Sequence, residues 1–491
     1  MSKQDYGIHW FRRDLRVAGN NALRSQLQEC EGRVVGVFCF DKKFLARKDF
    51  SVNRFQFFLN SLVSLKKELQ DLGSDLLVLD VGPDESLESL FKQLQKSKLG
   101  LPTRFSWNRD YEPFAIKRDK RIKKLCESFD IESIHFRDHL LIEPDELTKD
   151  DGDGYKVYTP FSRKWLEIFE SEPVQKRMMA QKNGLTYLKK LEKGNLDKAF
   201  SLTWKKLLGT DLPQDVLEAY VTSNQEKVDI EIPEAGSLAA LSKLKEFKKK
   251  IDEYGDKRDI PSIAGTSKFS MYLKNGTITV PQIIAYFQLT PYKKKKNSRD
   301  TFFSELIWRE FYYHILYRHP HVEKKSFNPK YEDLKWENDK KLFKAWCEGK
   351  TGFPIVDAGM RELNQTGWMH NRVRMIVASF LTKDLLIDWR WGEQYFMEKL
   401  LDGDLAPNNG GWQWAASTGC DAQPYFRIFN PWLQSKRFDP EGEYIKTYIP
   451  ELSDIPAKQL HKPILGHDSY PEPIVDHSEQ RDKALKLYKE L

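Results

Sequence analysis

The chain has 491 residues, 40% of them hydrophobic, and a formal charge of +7. By length that is roughly two to four domains, with apolar material for sizeable cores and a charge too mild to identify a nucleic-acid binder alone. No apolar run approaches the ~18 residues of a membrane span, "MSKQDYGIHWF" lacks the pattern of a secretory leader, and five scattered cysteines form no CxxC pair.

These features exclude a membrane protein, a disulfide framework and a zinc site, and predict a soluble, cytoplasmic protein. "HPH" at 319–321 reads as a solvated loop, and no metal is expected.

Residues 1–140 alternate short apolar runs with helical patterns. "YGIHWF", "RVVGVFCF", "DLLVLDVG", "TRFSWN" and "ESIHF" read as strands. "NRFQFFLNSLVSLKKELQDLG" reads as an amphipathic helix ending at glycine. This rhythm predicts an α/β N-terminal domain with a parallel, Rossmann-like sheet. "FRRDLR" follows the first strand where a dinucleotide fingerprint would need GxGxxG. Residues 141–200, with "TKDDGDGYKVYTPF", read as a connector. Residues 201–491 read as an all-α domain, most clearly in "TVPQIIAYFQL", "DTFFSELIWREFYYHILYRHP", "NRVRMIVASFLTKDLL" and "WGEQYFMEKLL". "GKT" at 349–351 is no Walker loop, because Lys344 stands where glycine is needed. The lysine runs "KLKEFKKK" and "YKKKKNSRD" fit solvated faces or a phosphate-facing surface.

Chemistry concentrates in the helical part. In "GWMHNRVRM", a helix would put Trp368, Asn371, Arg372 and Met375 on one face. In "SELIWREF", Glu305, Trp308 and Arg309 share a face, with Leu306 and Ile307 turned to the core. "AGTSKFS" sets Thr266, Ser267 and Ser270 around Lys268, which suits a phosphate or an ordinary helix start. "DGDLAPNNGGWQW" combines Asp402, Asp404 and Asn408 with Trp412 and Trp414 in a stretch too glycine-rich for ordinary core. Paired acids also suggest a glycosidase, but nothing else is sugar-directed. Together these residues suit a large planar cofactor and stacked bases.

"SELIWREFYYH", "GKTGFPIVDAGMRELNQTGWMHNRVRMIVASFL", "LLIDWRWGEQYF" and "GDLAPNNGGWQWAASTGCDAQPYFRIFNP" closely resemble the photolyase/cryptochrome family, nearest to class I cyclobutane pyrimidine dimer photolyases. "HWFRRDLR" and "WNRDYEP" extend the likeness over nearly the whole chain.

The resemblance implies an antenna-type α/β domain and a C-terminal FAD-binding, DNA-binding helical domain. It implies a light-dependent lyase, acting as a monomer, in which reduced FAD donates an electron to a pyrimidine dimer flipped out of DNA. Tyr254, Thr266, Ser267, Lys268, Phe269, Ser270, Phe302, Arg309, Arg374, Asp402, Asp404 and Asn408 would hold the cofactor, with Asn408 at flavin N5. Lys268 stands where arginine is frequent, and Phe302 where some relatives have tryptophan.

Glu305 would bond the dimer, Trp308 and Trp414 would sandwich it, and Asn371 and Met375 would complete the pocket. Trp412, Trp389 and Trp336 match the inner, middle and surface members of a flavin-reducing tryptophan chain. Arg258, Arg372, Arg427 and Gln434 would grip the DNA backbone. A second, antenna chromophore is implied. Phe114 and Ala115 stand where folate-binding relatives carry Asn–Glu, so a deazaflavin type is favoured over folate. A cryptochrome receptor would show a changed pocket and often a long tail. A (6-4) enzyme would show paired histidines, and this string offers only His370.

Overall fold

The computed structural model describes residues 5–490. The chain forms two compact units. The first takes the residues up to Leu147, Lys164–Lys249 and Ser267–Lys293; the second takes Thr148–Arg163, Lys250–Thr266 and Lys294 onward.

The first unit is built on five strands: β1 (Gly7–Trp10), β2 (Val34–Cys39), β3 (Leu76–Leu79), β4 (Arg104–Asn108) and β5 (Glu132–Phe136). Their order is β3-β2-β1-β4-β5 and every pairing is parallel. β1, β2 and β3 are buried at every position, as expected of strands covered on both faces by crossover helices. The helices Asn21–Glu29, Val52–Asp71, Pro83–Gln95 and Pro113–Ser128 supply those crossovers.

"FRRDLR" closes the carboxyl end of β1 with side chains instead of a phosphate cradle. Asp14 accepts from Arg12 N at 2.8 Å and Asn108 Nδ2 at 2.6 Å, and lies 3.4 Å from His9 Nε2. Burial pushes the Asp14 carboxyl up, but His9 and these donors hold it well below the usual carboxylate range.

The compact units divide the chain at other places than composition suggests. Residues 141–200 contain the long helices Tyr158–Phe169 and Glu172–Glu192. Residues just past 200 pack on the sheet: Trp204 donates Nε1–H to Gly36 O at 2.7 Å, and Leu202, Leu207 and Leu208 join the core around Trp10 and Trp107. Loop-forming residues mark turns; they do not say which core the next helix joins.

The second unit is helical. Its core gathers Trp346, Met360, Val373, Val377, Leu381, Trp389, Phe396 and Trp412. The pattern 371–386, expected as one helix, runs as an α-helix over Asn371–Ser379 and then as a π-turn over Phe380–Asp384. The glycine-rich stretch around Trp412 is also helical, Leu405–Ala415. Gly410 serves close packing, since a Cβ there would overlap the Tyr312 ring, whereas a Cβ on Gly411 would meet open space. Among the described residues, no helix is long and apolar enough to cross a membrane.

Candidate functional site

The helix Ser298–Arg318 starts at Asn297, whose side chain accepts from Asp300 N. Leu306, Ile307 and Phe311 face the core, as their spacing predicts. Glu305, Trp308, Arg309 and Tyr312 line another face at helical spacing, the first three half-buried. Glu305 Oε1 accepts from Arg258, whose guanidinium lies 5.3 Å from the Tyr254 ring. Burial alone would lower the Arg258 pKa, but Glu305 and Tyr254 raise it overall. Tyr254 meets Phe302 edge-on at 5.3 Å, so residues from "DEYGDKRD" and "TFFSELIW" form one wall.

A second wall comes from the helix Asn371–Ser379. His370 caps it, Nδ1 accepting from Arg372 N at 3.1 Å. Burial is the main cause that lowers the His370 pKa to about 4, so the imidazole is neutral at ordinary pH and can accept. Arg372 donates to Asp259 at 2.8 Å and reaches Met375 Sδ at 3.7 Å. Trp368 lies before the cap, so the expected four-residue stripe is broken at its first member. Asn371 is exposed at the first helical position, with Met375 half-buried one turn on. Arg258 and Asp259 are adjacent in sequence, so one short segment pairs with both walls.

Arg374 binds Asp402 at 2.9 Å through Nη2 and Met369 O through Nε. Tyr313 donates to Asp404 at 2.7 Å. Asn408 Nδ2 donates to Glu393 O at 3.1 Å. Trp412 is 2% exposed, and a Cβ on Gly392 would overlap its ring. Trp389 sits one turn before Gly392 on the helix Trp389–Lys399, so its Cα shares the face that meets Trp412. Trp389 is fully buried and Trp336 half-buried, the latter 6.3 Å from the Tyr488 ring. Trp414 is half-buried, 6.4 Å from Phe429. Arg427 is exposed, and Gln434 is half-buried on the helix Pro431–Phe438.

Thr266 ends a stretch of the second unit. Ser267, Lys268, Phe269 and Ser270 belong to the first, where Phe269 packs on Phe247 and Phe287. Ser267 Oγ accepts from Phe269 N at 3.4 Å, and Lys268 takes a left-handed φ of 53°. No side chain caps the short helix Ser270–Asn275, so the segment is not an ordinary serine-capped start. Phe269 is 2% exposed and anchors the segment by its ring.

Several residues escaped sequence reasoning. Tyr158 stacks on Trp308 with centroids 3.5 Å apart and planes 4° apart. Trp346 meets Trp412 edge-on at 6.0 Å. Lys383 and Asp384 are buried in the π-turn, with Lys383 Nζ 3.6 Å from the Tyr488 ring centroid. No local motif marks them; each follows from tertiary packing.

The donor set fits an isoalloxazine dinucleotide. Within the second unit, Arg374 offers a cation, Asp402 and Asp404 carboxylate acceptors and Asn408 an amide, groups whose chemistry matches the hydrogen-bonding edge of such a ring. Comparison with known proteins agrees. A family model described as "FAD binding domain of DNA photolyase" matches residues 302–490, and one described as "DNA photolyase" matches 7–179.

A deoxyribodipyrimidine photo-lyase of Vibrio cholerae is 38% identical over 488 residues, covering 98% of each chain. A bacterial class III photolyase structure from Agrobacterium tumefaciens has TM-score 0.81 and 34% identity, covering 100% of this chain and 98% of that one. An archaeal photolyase from Sulfolobus tokodaii, solved with two FAD molecules, has TM-score 0.78 and 34% identity, covering 99% and 100%. The chain therefore belongs to the DNA photolyase family, FAD-binding lyases of DNA repair.

Proposed function

We propose that the protein splits cyclobutane pyrimidine dimers, everted from DNA, by light-driven electron transfer. The observation that carries this reading is the pairing of a carboxylate and an indole on one helix face: Glu305, held by Arg258, beside half-buried Trp308. When bound, FAD in its reduced state supplies the light-absorbing electron donor.

The chain's own residues bind, orient and shield. Arg258 holds Glu305 Oε1, so Oε2 is the oxygen that meets the pyrimidine edge. Trp308 and Trp414 offer ring faces to the extruded bases. Such stacking contributes about 1–3 kcal/mol per base, enough to offset unstacking of damaged bases, which costs a few kcal/mol, and less suited to a sound pair. Asn371 and Met375 close the pocket, while Arg258, Arg372, Arg427 and Gln434 face the phosphate backbone.

Tyr254, Phe302, Arg309, Arg374, Asp402, Asp404 and Asn408, with the segment Thr266–Ser270, are the residues we assign to FAD. Trp412, Trp389 and Trp336 would carry the oxidising equivalent outward from buried to half-exposed ring. In roles, we assign 1–140 to the antenna-type domain, 141–200 to the connector and 201–491 to the catalytic domain, although parts of the last two ranges fall in the first compact unit. The protein acts as a cytoplasmic monomer with a second chromophore, which we favour as deazaflavin-type. The relative from Sulfolobus tokodaii holds two FAD molecules, so a second flavin is the other outcome of that assignment.

The test is repair of a thymine-dimer oligonucleotide by purified, FAD-containing protein. Cleavage is expected under blue light and absent in the dark. No cleavage by prereduced, illuminated protein would reject the reading. Trp336→Phe should slow photoreduction yet leave repair by prereduced protein intact.

A further inference from the structure

An indole offers two faces, and in this protein one face of Trp308 is already taken. Tyr158 lies flat against it, centroids 3.5 Å apart at 4°. We propose that Tyr158 is a positioning residue for lesion binding: it fixes the plane and depth of the Trp308 ring so that the opposite face is preorganised for the extruded base. This rests on the reading that Trp308 stacks on the lesion.

Besides the Trp308 stack, three contacts place Tyr158. Its hydroxyl donates to Ser304 O at 2.9 Å. In an α-helix that carbonyl is also the acceptor of the Trp308 N–H, four residues on, so Tyr158 is registered to the turn that carries the indole. Its backbone N–H donates to Asp421 Oδ2 at 2.9 Å, on the loop that follows the Trp414 helix. Its ring meets Phe311 edge-on at 5.9 Å, and Phe161, one turn later in sequence, meets the same Phe311 ring at 5.1 Å. Phe161 and Phe311 are fully buried, and Tyr158 is 9% exposed.

Tyr158 thus ties one stacking ring to the segment leaving the other. A tryptophan free to change rotamer loses that freedom on binding; one clamped by a parallel ring does not. Because the clamp is aromatic contact, a phenyl ring should serve and an aliphatic chain should not.

The experiment measures binding of FAD-loaded protein, in the dark, to a duplex with one thymine dimer and to the same duplex undamaged. Melting temperature and flavin content are followed alongside. Tyr158→Leu should weaken dimer binding roughly three- to tenfold, with undamaged-duplex affinity and flavin content unchanged. Tyr158→Phe should restore dimer binding to within about twofold. In a Trp308→Ala background, Tyr158→Leu should cost nothing further. Should Leu lower the melting temperature, Tyr158→Met, which fills the space without a plane, carries the same expectation.

If Trp308→Ala weakens dimer binding and neither Tyr158→Leu nor Tyr158→Met does, the positioning role is wrong and the pocket stands. If Trp308→Ala also changes nothing, the pocket reading itself fails. Equal loss on damaged and undamaged DNA, additive loss in the double variant, or a Phe variant as weak as Leu would each overturn the proposal.

Discussion

Trp412 and Trp414 stand on one helix, Leu405–Ala415, yet their surroundings differ. Two helical positions are about 200° apart, so the rings leave opposite sides. Trp412 enters a dry interior where Phe396 and Trp346 meet it edge-on at 5.0 and 6.0 Å. Trp414 stays half-buried, as does Trp308 on its own helix. The interior region contains rings, aliphatic chains and a glycine. The wall region contains Glu305, Arg258, Arg372 and Asp259 in ion pairs that remain partly open to water. The same residue type therefore suits two tasks. A buried indole, fixed among apolar neighbours, can pass charge without binding anything, whereas a half-open indole beside charged groups can receive a ligand.

The sharpest way to break that comparison is at Glu305. Glu305→Ala should lower repair per absorbed photon by about one to two orders of magnitude, the loss of a hydrogen bond from a charged group, with flavin content retained. An unchanged yield would put Glu305 among structural ion pairs. Next come the open rings. Trp414→Ala or Trp308→Ala should weaken dimer-DNA binding by about 5- to 150-fold, while Trp412→Phe should leave binding alone and slow photoreduction. Binding loss from the Trp412 variant would erase the distinction between the regions.

Much of this division was legible in the sequence. Helical spacing alone placed Glu305, Trp308 and Arg309 on one face and Leu306 and Ile307 on the other, because a regular helix turns spacing into direction. The five strands could be read for the same reason: apolar runs of strand length, separated by helical patterns, leave few alternatives. Trp368 misled because a helix pattern does not show its first residue; His370, with an imidazole that can accept, starts the helix after Trp368.

Tyr158 was illegible, since a stack between residues 150 positions apart leaves no periodic trace. The glycines at 410 and 411 made the stretch look unlike ordinary core, yet it forms a helix whose Trp412 and Ala415 are buried. Gly410 is tolerated because the Tyr312 ring occupies the space a Cβ would need.

The interior gives the next prediction. Gly392 touches the Trp412 ring so closely that any Cβ would overlap it. Gly392→Ala should cost about 1–3 kcal/mol of stability by overpacking, seen as a lower melting temperature. It should also slow photoreduction, because the ring that shifts is the inner member of the proposed chain. A wild-type melting temperature would mean that the interior is looser than the wall, reversing the contrast.

The smallest effects expected are those of pH, and they carry opposite signs at two buried groups. Burial is the first cause at both. It lowers His370 to about 4, below the ordinary histidine value near 6.5, and raises Asp384 to about 6 against the downward pull of its hydrogen bond from His477. Between 4 and 6.5 the unfolded chain binds more protons at His370 than the folded one does, so His370 costs stability as pH falls through that window. Asp384 is the reverse. Its folded form holds the proton more tightly, so stability is favoured below the ordinary aspartate value and lost as pH rises through about 6.

His370→Asn keeps an N-cap acceptor without a titrating group, so its melting temperature should gain on wild type at pH 4.5 and not at 7.5. Asp384→Asn keeps the His477 contact and should gain more at pH 7.5 than at 4.5, by about 2 °C or more. Superimposable profiles would mean that neither group is as dry as its surroundings indicate. A gain for His370→Asn confined to high pH would mean that the cap imidazole is charged in the folded protein, which its acceptance of the Arg372 N–H does not permit.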